Sequence, residues 1–351
     1  MKMIERNPEK FDVLDLFSAI GQNRDLKLKD EESIRAFLES INLSLHQNST
    51  PTMLYGRHAE SMFGYVVASL GECFVVKKED DGNVFLDIGE AKIPDYRLVM
   101  KNKQVMMVEV KNCHQRNYRD IFRLRISYIN QLKRYCDAND AALKIAIYWT
   151  KMDIWTLLDP SDFVRVGPNI QITLFDAIKN NEMCTLGDVA IGAIPPLRLI
   201  IYPDKSLDRS VGKDGEVAIR ISDVKVFCNE DEIVDEFERR IAVMLIMFGN
   251  WEEVNEAKMR DNQLEYFELI YKPEVAIDDQ DEYDQNFDII GFMSSIISRQ
   301  YKMLTAPHGL IEKIAPPNSV GMLGFIVPED YHGKQLPLWR LHIQPGKTRT
   351  D

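Results

Sequence analysis

At Gly71 the period of the sequence changes, and that change limits the possible architectures more than any other feature. From Thr52 to Leu70 the apolar residues of TMLYGRHAESMFGYVVASL recur at helical spacing, and Gly71 supplies a residue free to turn left-handed at the helix end. Four short β-branched or alternating runs follow, CFVVKKE, NVFLDI, DYRLVM and QVMMVEVK. They are separated by turn signals at Asp81-Gly82, at Gly89 and at Lys101-Asn102-Lys103. A helix over about Tyr118 to Asp137 and two more runs, LKIAIYW and DIWTLL, complete the order α-β-β-β-β-α-β-β over residues 52–158. That order predicts a compact α/β unit built around one sheet.

The run 105–112 reads as a buried strand, yet it contains Glu109 and Lys111. Residues two apart in a strand point to the same side, so these two charges project together while Val108 and Val110 face the other way. Stability alone does not favour the arrangement, because replacing a buried ion pair by apolar residues is often neutral or better. Asp95 opens the preceding run directly after Pro94, and the short turn between the runs makes them a hairpin. Neighbouring strands lie about 4.8 Å apart, so Asp95 can meet Glu109 and Lys111. Two converging carboxylates are what a hard divalent cation needs, with water and phosphate oxygens completing its shell.

Pro94-Asp95 followed by Glu109-Val110-Lys111 resembles the PD-(D/E)XK nuclease superfamily, which includes restriction endonucleases, junction resolvases and RecB-like exonucleases. The resemblance covers residues 52 to 158 and includes the element order helix, motif hairpin, helix, strand. It implies a restriction endonuclease-like core, a mixed sheet flanked by helices. It also implies that Asp95, Glu109 and the Val110 carbonyl bind Mg²⁺, with Mn²⁺ as a substitute, while Lys111 assists the attacking water. The family often places a metal-supporting Glu on the first core helix. Glu60 occupies that place, with Phe63, Gly64 and Val67 on its face; the alternative is a surface residue paired with Arg57 or His58.

Gln131 and Tyr135 lie one turn apart in QLKRY, similar to the Q-x-x-x-Y element of RecB-like members, which lies near the active site and the nucleic acid backbone. The same predicted helix offers Arg116, Arg119, Arg123, Arg125, Lys133 and Arg134 as phosphate contacts. His114, just after the motif lysine, is a secondary candidate as general base or phosphate contact.

Charge distribution refines this reading. The whole chain of 351 residues carries a formal charge of −12, but Arg97 to Lys151 holds twelve Lys or Arg against four Asp or Glu. A local basic face, not the total, is what meets phosphates. The other explanation is a solvated basic helix side. Five scattered cysteines without a C-x-x-C pair exclude zinc-finger and HNH-type chemistry and fit a reducing cytoplasm. The amino-terminal segment puts Glu5, Glu9 and Lys10 where a signal peptide needs an apolar stretch, and the longest apolar run, residues 241–248, is too short to span a bilayer.

Four regions are expected: a helical lead-in over 1–45, the nuclease core over 52–165, a connecting segment over 166–196 ending at Pro195-Pro196, and a second, α+β domain over 197–351. In that last region RLIIYP, EVAIRI, DVKVFC, QLEYFELIY, GMLGFIV and LWRLHI read as strands, and about Glu230 to Phe248 and Asp288 to Leu304 as helices. Trp251 and Trp339 read as core or interface filling. The acidic run Glu274 to Asp288 reads as a solvated loop or an interaction segment. The functional expectation is a Mg²⁺-dependent deoxyribonuclease of prokaryotic defence or repair, acting as a homodimer or as a subunit of a complex, with DNA as substrate, RNA left open and no membrane partner. A catalytically silent nucleic-acid-binding or structural subunit is the alternative.

Overall fold

The structure is a computed structural model that describes residues 8–21, 24–79, 84–114, 117, 119–272, 287–317, 327–328 and 330–346. Among them, seven α-helices accompany sixteen strands in four sheets, a mixed α/β architecture. Two helices lead in, α1 (Pro8–Gly21) and α2 (Glu31–Asn48), and the second is capped by the Asp30 carboxylate on the Ser33 amide at 2.9 Å.

Helix α3 (Pro51–Leu70) starts with proline in its first turn and stops at Gly71, whose φ of 91° is open to glycine at little steric cost. Four strands follow, β1 (Cys73–Lys78), β2 (Tyr96–Met100), β3 (Val105–Cys113) and β4 (Ile121–Arg125), then α4 (Ile126–Ala138), β5 (Ala142–Trp149) and β6 (Ile154–Leu158). Strands β1, β2, β3, β5 and β6 form one sheet in that order, antiparallel except for the parallel β3–β5 pair that the α4 crossover joins.

Alternation along β3 sends its two faces into separate cores. Met106, Val108 and Val110 pack with Met62, Phe63 and Val66 of α3, whereas Met107 joins Ile129 and Leu132 of α4 on the other side. The sheet therefore has a helix on each face. Helix α3 sits close to β2 because Gly64 leaves room: a Cβ there would fall 2.6 Å from the Tyr96 hydroxyl. That hydroxyl donates to the Glu60 carbonyl at 3.0 Å.

Two expected elements differ here. NVFLDI forms no strand over its described residues 84–88; the exposed side chains there have no second strand to alternate against. The helix expected from Tyr118 begins only at Ile126, because IFRLR alternates with period two and pairs antiparallel with NIQIT. Arg119, Arg123 and Arg125 consequently precede α4 instead of riding on it, and Arg116 lies outside the described residues.

Strands β7 (Val164–Val166) and β8 (Asn169–Thr173) complete a small sheet with β4, and α5 (Leu174–Lys179) follows. Strand β9 (Ala190–Ala193) lies between β15 (Asp288–Phe292) and β16 (Leu338–Leu341). The remaining sheet holds β10 (Leu197–Pro203), β11 (Ile221–Cys228), β12 (Asp231–Glu232), β13 (Glu252–Arg260) and β14 (Gln263–Lys272). Helices α6 (Glu236–Phe248) and α7 (Met293–Thr305) complete the described elements.

Beyond residue 197 further differences appear. EVAIRI is irregular up to Arg220, α6 starts at Glu236, and the helix expected from Asp288 is β15 followed by α7. GMLGFIV, except Val327, and the acidic run up to residue 286 lie outside the described residues. Trp339 is 56% exposed and stacks on Phe287, while Trp251 is half-buried and donates to the Leu245 carbonyl at 2.6 Å. The apolar cluster on the α3 face runs without interruption from Phe63 and Val108 to Ile297, Tyr301 and Leu336, and Trp155 donates to Ser298 at 2.9 Å.

Candidate active site

The β2–β3 register sets Tyr96 opposite Val108, so Asp95, one residue outward, falls beside Glu109. The Val110 amide donates to Asp95 Oδ2 at 2.7 Å, which ties the carboxylate across the hairpin to the centre of the motif. Both acids are buried, Asp95 at 7% exposure and Glu109 at 3%. Lys111 forms an ion pair with Glu109 Oε1, and the same oxygen accepts the Tyr128 hydroxyl from the first turns of α4. Lys111 Nζ also lies 3.4 Å from that hydroxyl. Among the described residues, Glu109 Oε2 and Asp95 Oδ1 have no hydrogen-bond partner.

Burial raises Asp95 to a pKa of about 7, and the neighbouring Glu109 carboxylate pushes the same way. The Val110 amide and Lys111 oppose that rise, and Glu60 adds to it. Glu60 thus sits within electrostatic reach of the pair from α3, although its carboxylate is held by Arg57 at 2.9 Å. Tyr128 is pushed well above the usual phenol range, by burial first and by Glu109 second, so it is a firm proton donor.

The acids open into a cavity of about 390 Å³ lined by Val84, Leu86, Lys92, Asp95, Glu109 and Tyr128 among others. Lys92 Nζ lies 4.8 Å from the centre of the Tyr128 ring and Lys111 Nζ 5.3 Å, so one ring carries two ammonium groups. Sequence reasoning missed Tyr128 and Lys92. Neither has a motif, since one comes from the α4 crossover and the other from irregular chain ahead of Asp95.

The other sequence candidates have separate settings. Tyr135 is buried and donates to Glu79 at 2.7 Å, next to the Arg97–Glu79 ion pair. The Gln131 carbonyl accepts the Lys92 amide at 3.0 Å, and its side chain reaches Glu90 at 3.5 Å. Both hold the chain on either side of the cavity rim to α4. Lys133 and Arg134 are exposed on α4, and Arg134 bonds the Glu90 carbonyl at 2.9 Å. Arg119 and Arg123 are exposed ahead of the helix, with Arg123 donating to Gln171 at 3.2 Å. His114 is exposed, 3.2 Å from Thr150 Oγ1, with its ring 6.5 Å from that of Tyr55.

Among the described residues, no three His, Cys, Asp or Glu side chains gather closely enough to form a complete protein metal cage. The donors present still suit Mg²⁺, which keeps several waters and takes one or two carboxylates. A carboxylate that holds its proton to about pH 7 beside a second acid is also one that a cation would relieve.

Neither a family model nor a curated protein matches the chain. Among solved structures, the chain is similar to Hjc, a Holliday junction resolvase from Archaeoglobus fulgidus. The identity is 15% and the TM-score 0.25, over 32% of this chain and 87% of that one. A likeness of that extent decides neither fold nor activity.

Proposed function

We propose that the chain is a divalent-metal-dependent nuclease that hydrolyses DNA phosphodiester bonds at Asp95, Glu109 and Lys111. The observation that supports this reading is the meeting of two carboxylates that line an open cavity, Asp95 at the entry to β2 and Glu109 on β3, with the Lys111 ammonium paired to Glu109. Stability alone gives no reason for that convergence. Asp95, Glu109 and the Val110 carbonyl would hold Mg²⁺ or Mn²⁺, with Glu60 as an outer support. When bound, the cation supplies charge neutralisation for the phosphate and an acidified water.

The chain's own groups do the positioning. Tyr128 and Lys111 fix the rotamer of Glu109 through one oxygen and, among the described residues, leave the other without a partner. The Val110 amide orients Asp95 in the same way. Lys111, held between Glu109 and the Tyr128 hydroxyl, is placed to donate to a phosphate oxygen or to orient a water. Exposed Arg119, Arg123, Lys133 and Arg134, with His114 as a further candidate, are the proposed phosphate contacts flanking the site. A dimer or larger complex and a setting in prokaryotic defence or repair rest on the family resemblance.

The test incubates wild type and Lys111→Ala with linear, circular, branched and single-stranded DNA, and with RNA, in Mg²⁺ or EDTA. Cleavage that needs both the metal and Lys111 is the expected result. Cleavage indifferent to EDTA and to the loss of Lys111 rejects the mechanism.

A further inference from the structure

Among the described side chains that line the cavity, the carboxylates of Asp95 and Glu109 face a single cation, Lys92. Its place is fixed from two directions. Ala91 and Ile93 on either side pack against the apolar cluster under α4, and the Lys92 amide donates to the Gln131 carbonyl at 3.0 Å. At the other end of the side chain, Nζ lies 4.8 Å from the centre of the Tyr128 ring, whose hydroxyl donates to Glu109. One ring therefore spans from the ammonium to the carboxylate.

The other charges nearby have different settings. Lys111 is ion-paired to Glu109 and does not line the cavity. Asp87 and Glu90 are exposed just ahead of Lys92 but do not line the cavity either, and the Gln131 side chain reaches the Glu90 carboxylate at 3.5 Å. Asp95 takes the Val110 amide, and Glu109 takes Lys111 and Tyr128. Among the described residues no carboxylate forms an ion pair with Lys92, which stands over the ring instead. At an exposed site such a contact adds little stability, so its effect is to aim the ammonium.

We infer that Lys92 is a further catalytic residue, whose Nζ donates to a non-bridging oxygen of the scissile phosphate while Lys111 serves the attacking water. This inference rests on the nuclease reading above. A divalent cation held by Asp95 and Glu109 offsets both of their charges, and the charge then left on the cavity wall is that of Lys92. A phosphodiester drawn against the cation from the cavity meets that ammonium. The equatorial oxygens carry the phosphoryl charge in the transition state, and a cation already fixed beside them acts without reorganising as the bond breaks. No proton moves in this contact.

The experiment compares the full chain as wild type, Lys92→Met and Lys92→Arg on a DNA that wild type cleaves in Mg²⁺. Methionine keeps an unbranched stem over the ring without the charge, and arginine keeps the charge. Lys92→Met should lower the single-turnover rate at saturating DNA about a hundredfold, and Lys92→Arg should recover most of it. Without DNA, both variants should take up Mn²⁺ no more weakly than wild type and unfold at the same temperature. An unchanged rate in Lys92→Met overturns the inference and leaves the nuclease reading standing. A slower rate that comes with weaker Mn²⁺ uptake or a lower unfolding temperature overturns it as well, because Lys92 then acts through the carboxylates or the fold. Wild type that cleaves no DNA in Mg²⁺ removes the nuclease reading, and this inference with it.

Discussion

Burial and the Glu109 carboxylate together raise Asp95 to about 7, against the pull of the Val110 amide and Lys111. An acid whose folded pKa lies above its unfolded value of about 3.8 binds more protons in the native state across that interval. Stability contributed by this group is therefore greatest at acid pH, falls as pH rises from about 4 to about 7, and is level above. Thermal unfolding in EDTA at pH 5 and pH 8 should show a drop for wild type, and Asp95→Asn should flatten it. An equal drop in the variant assigns the pH dependence to other groups. Tyr128→Phe removes one donor from Glu109 while keeping the ring under Lys92 and Lys111. It should lower the turnover of a cleaving enzyme by about tenfold or more with little change in KM, because it loosens an orientation and not a substrate contact. An unchanged turnover would remove Tyr128 from the site.

Helix α4 links the site to the rest of the sheet. Its residues Gln131 and Tyr135 hold Lys92 and Glu79, so they act on the cavity through the chain that lines its rim. Burial alone would raise Glu79, but hydrogen bonds from Tyr135 and Arg97 hold it below the ordinary carboxylate range. Tyr135→Phe should cost about 1 kcal/mol by urea denaturation, the net value of one such bond; no loss would mean the pairing is idle. The spacing Q-x-x-x-Y made this face of the helix visible in sequence, but it could not show what the face holds. The start of α4 was harder to read for a physical reason. In IFRLR the apolar residues alternate with arginine, and only the distant partner NIQIT turns that alternation into a strand. Strand β13 gave no signal, since every side chain of EEVNEAKMR is exposed and so no apolar face exists to alternate. By contrast α3 and β2 were legible because each buries one face, and β3 because its run from Met106 to Val110 is apolar apart from Glu109 and buried on both faces.

In the molecule taken together, the cluster on the α3 face joins the sheet to residues far along the chain. Arg299 and Lys302 of α7 grip Asp153 in the β5–β6 turn at 2.7 Å each, and Lys302 also reaches Tyr148 at 2.9 Å. No local pattern announces such a contact, because its partners are about 150 residues apart in sequence. Calorimetry should show one cooperative transition for the full chain; two separable transitions would mean that the shared cluster does not couple the halves. Asp153→Ala, which strands two cations at that contact, should destabilise by about 1–3 kcal/mol.

The pairing of Asp95 with Glu109 governs all the chemistry proposed here, and cation binding can be followed without any substrate. In a Mn²⁺ titration at pH 8 read by electron paramagnetic resonance, wild type should take up the ion and lose it to excess Mg²⁺, while Asp95→Asn and Glu109→Gln should each bind at least tenfold more weakly. Mn²⁺ uptake that is the same in all three proteins, or absent from wild type, would contradict the assignment of the metal to this pair.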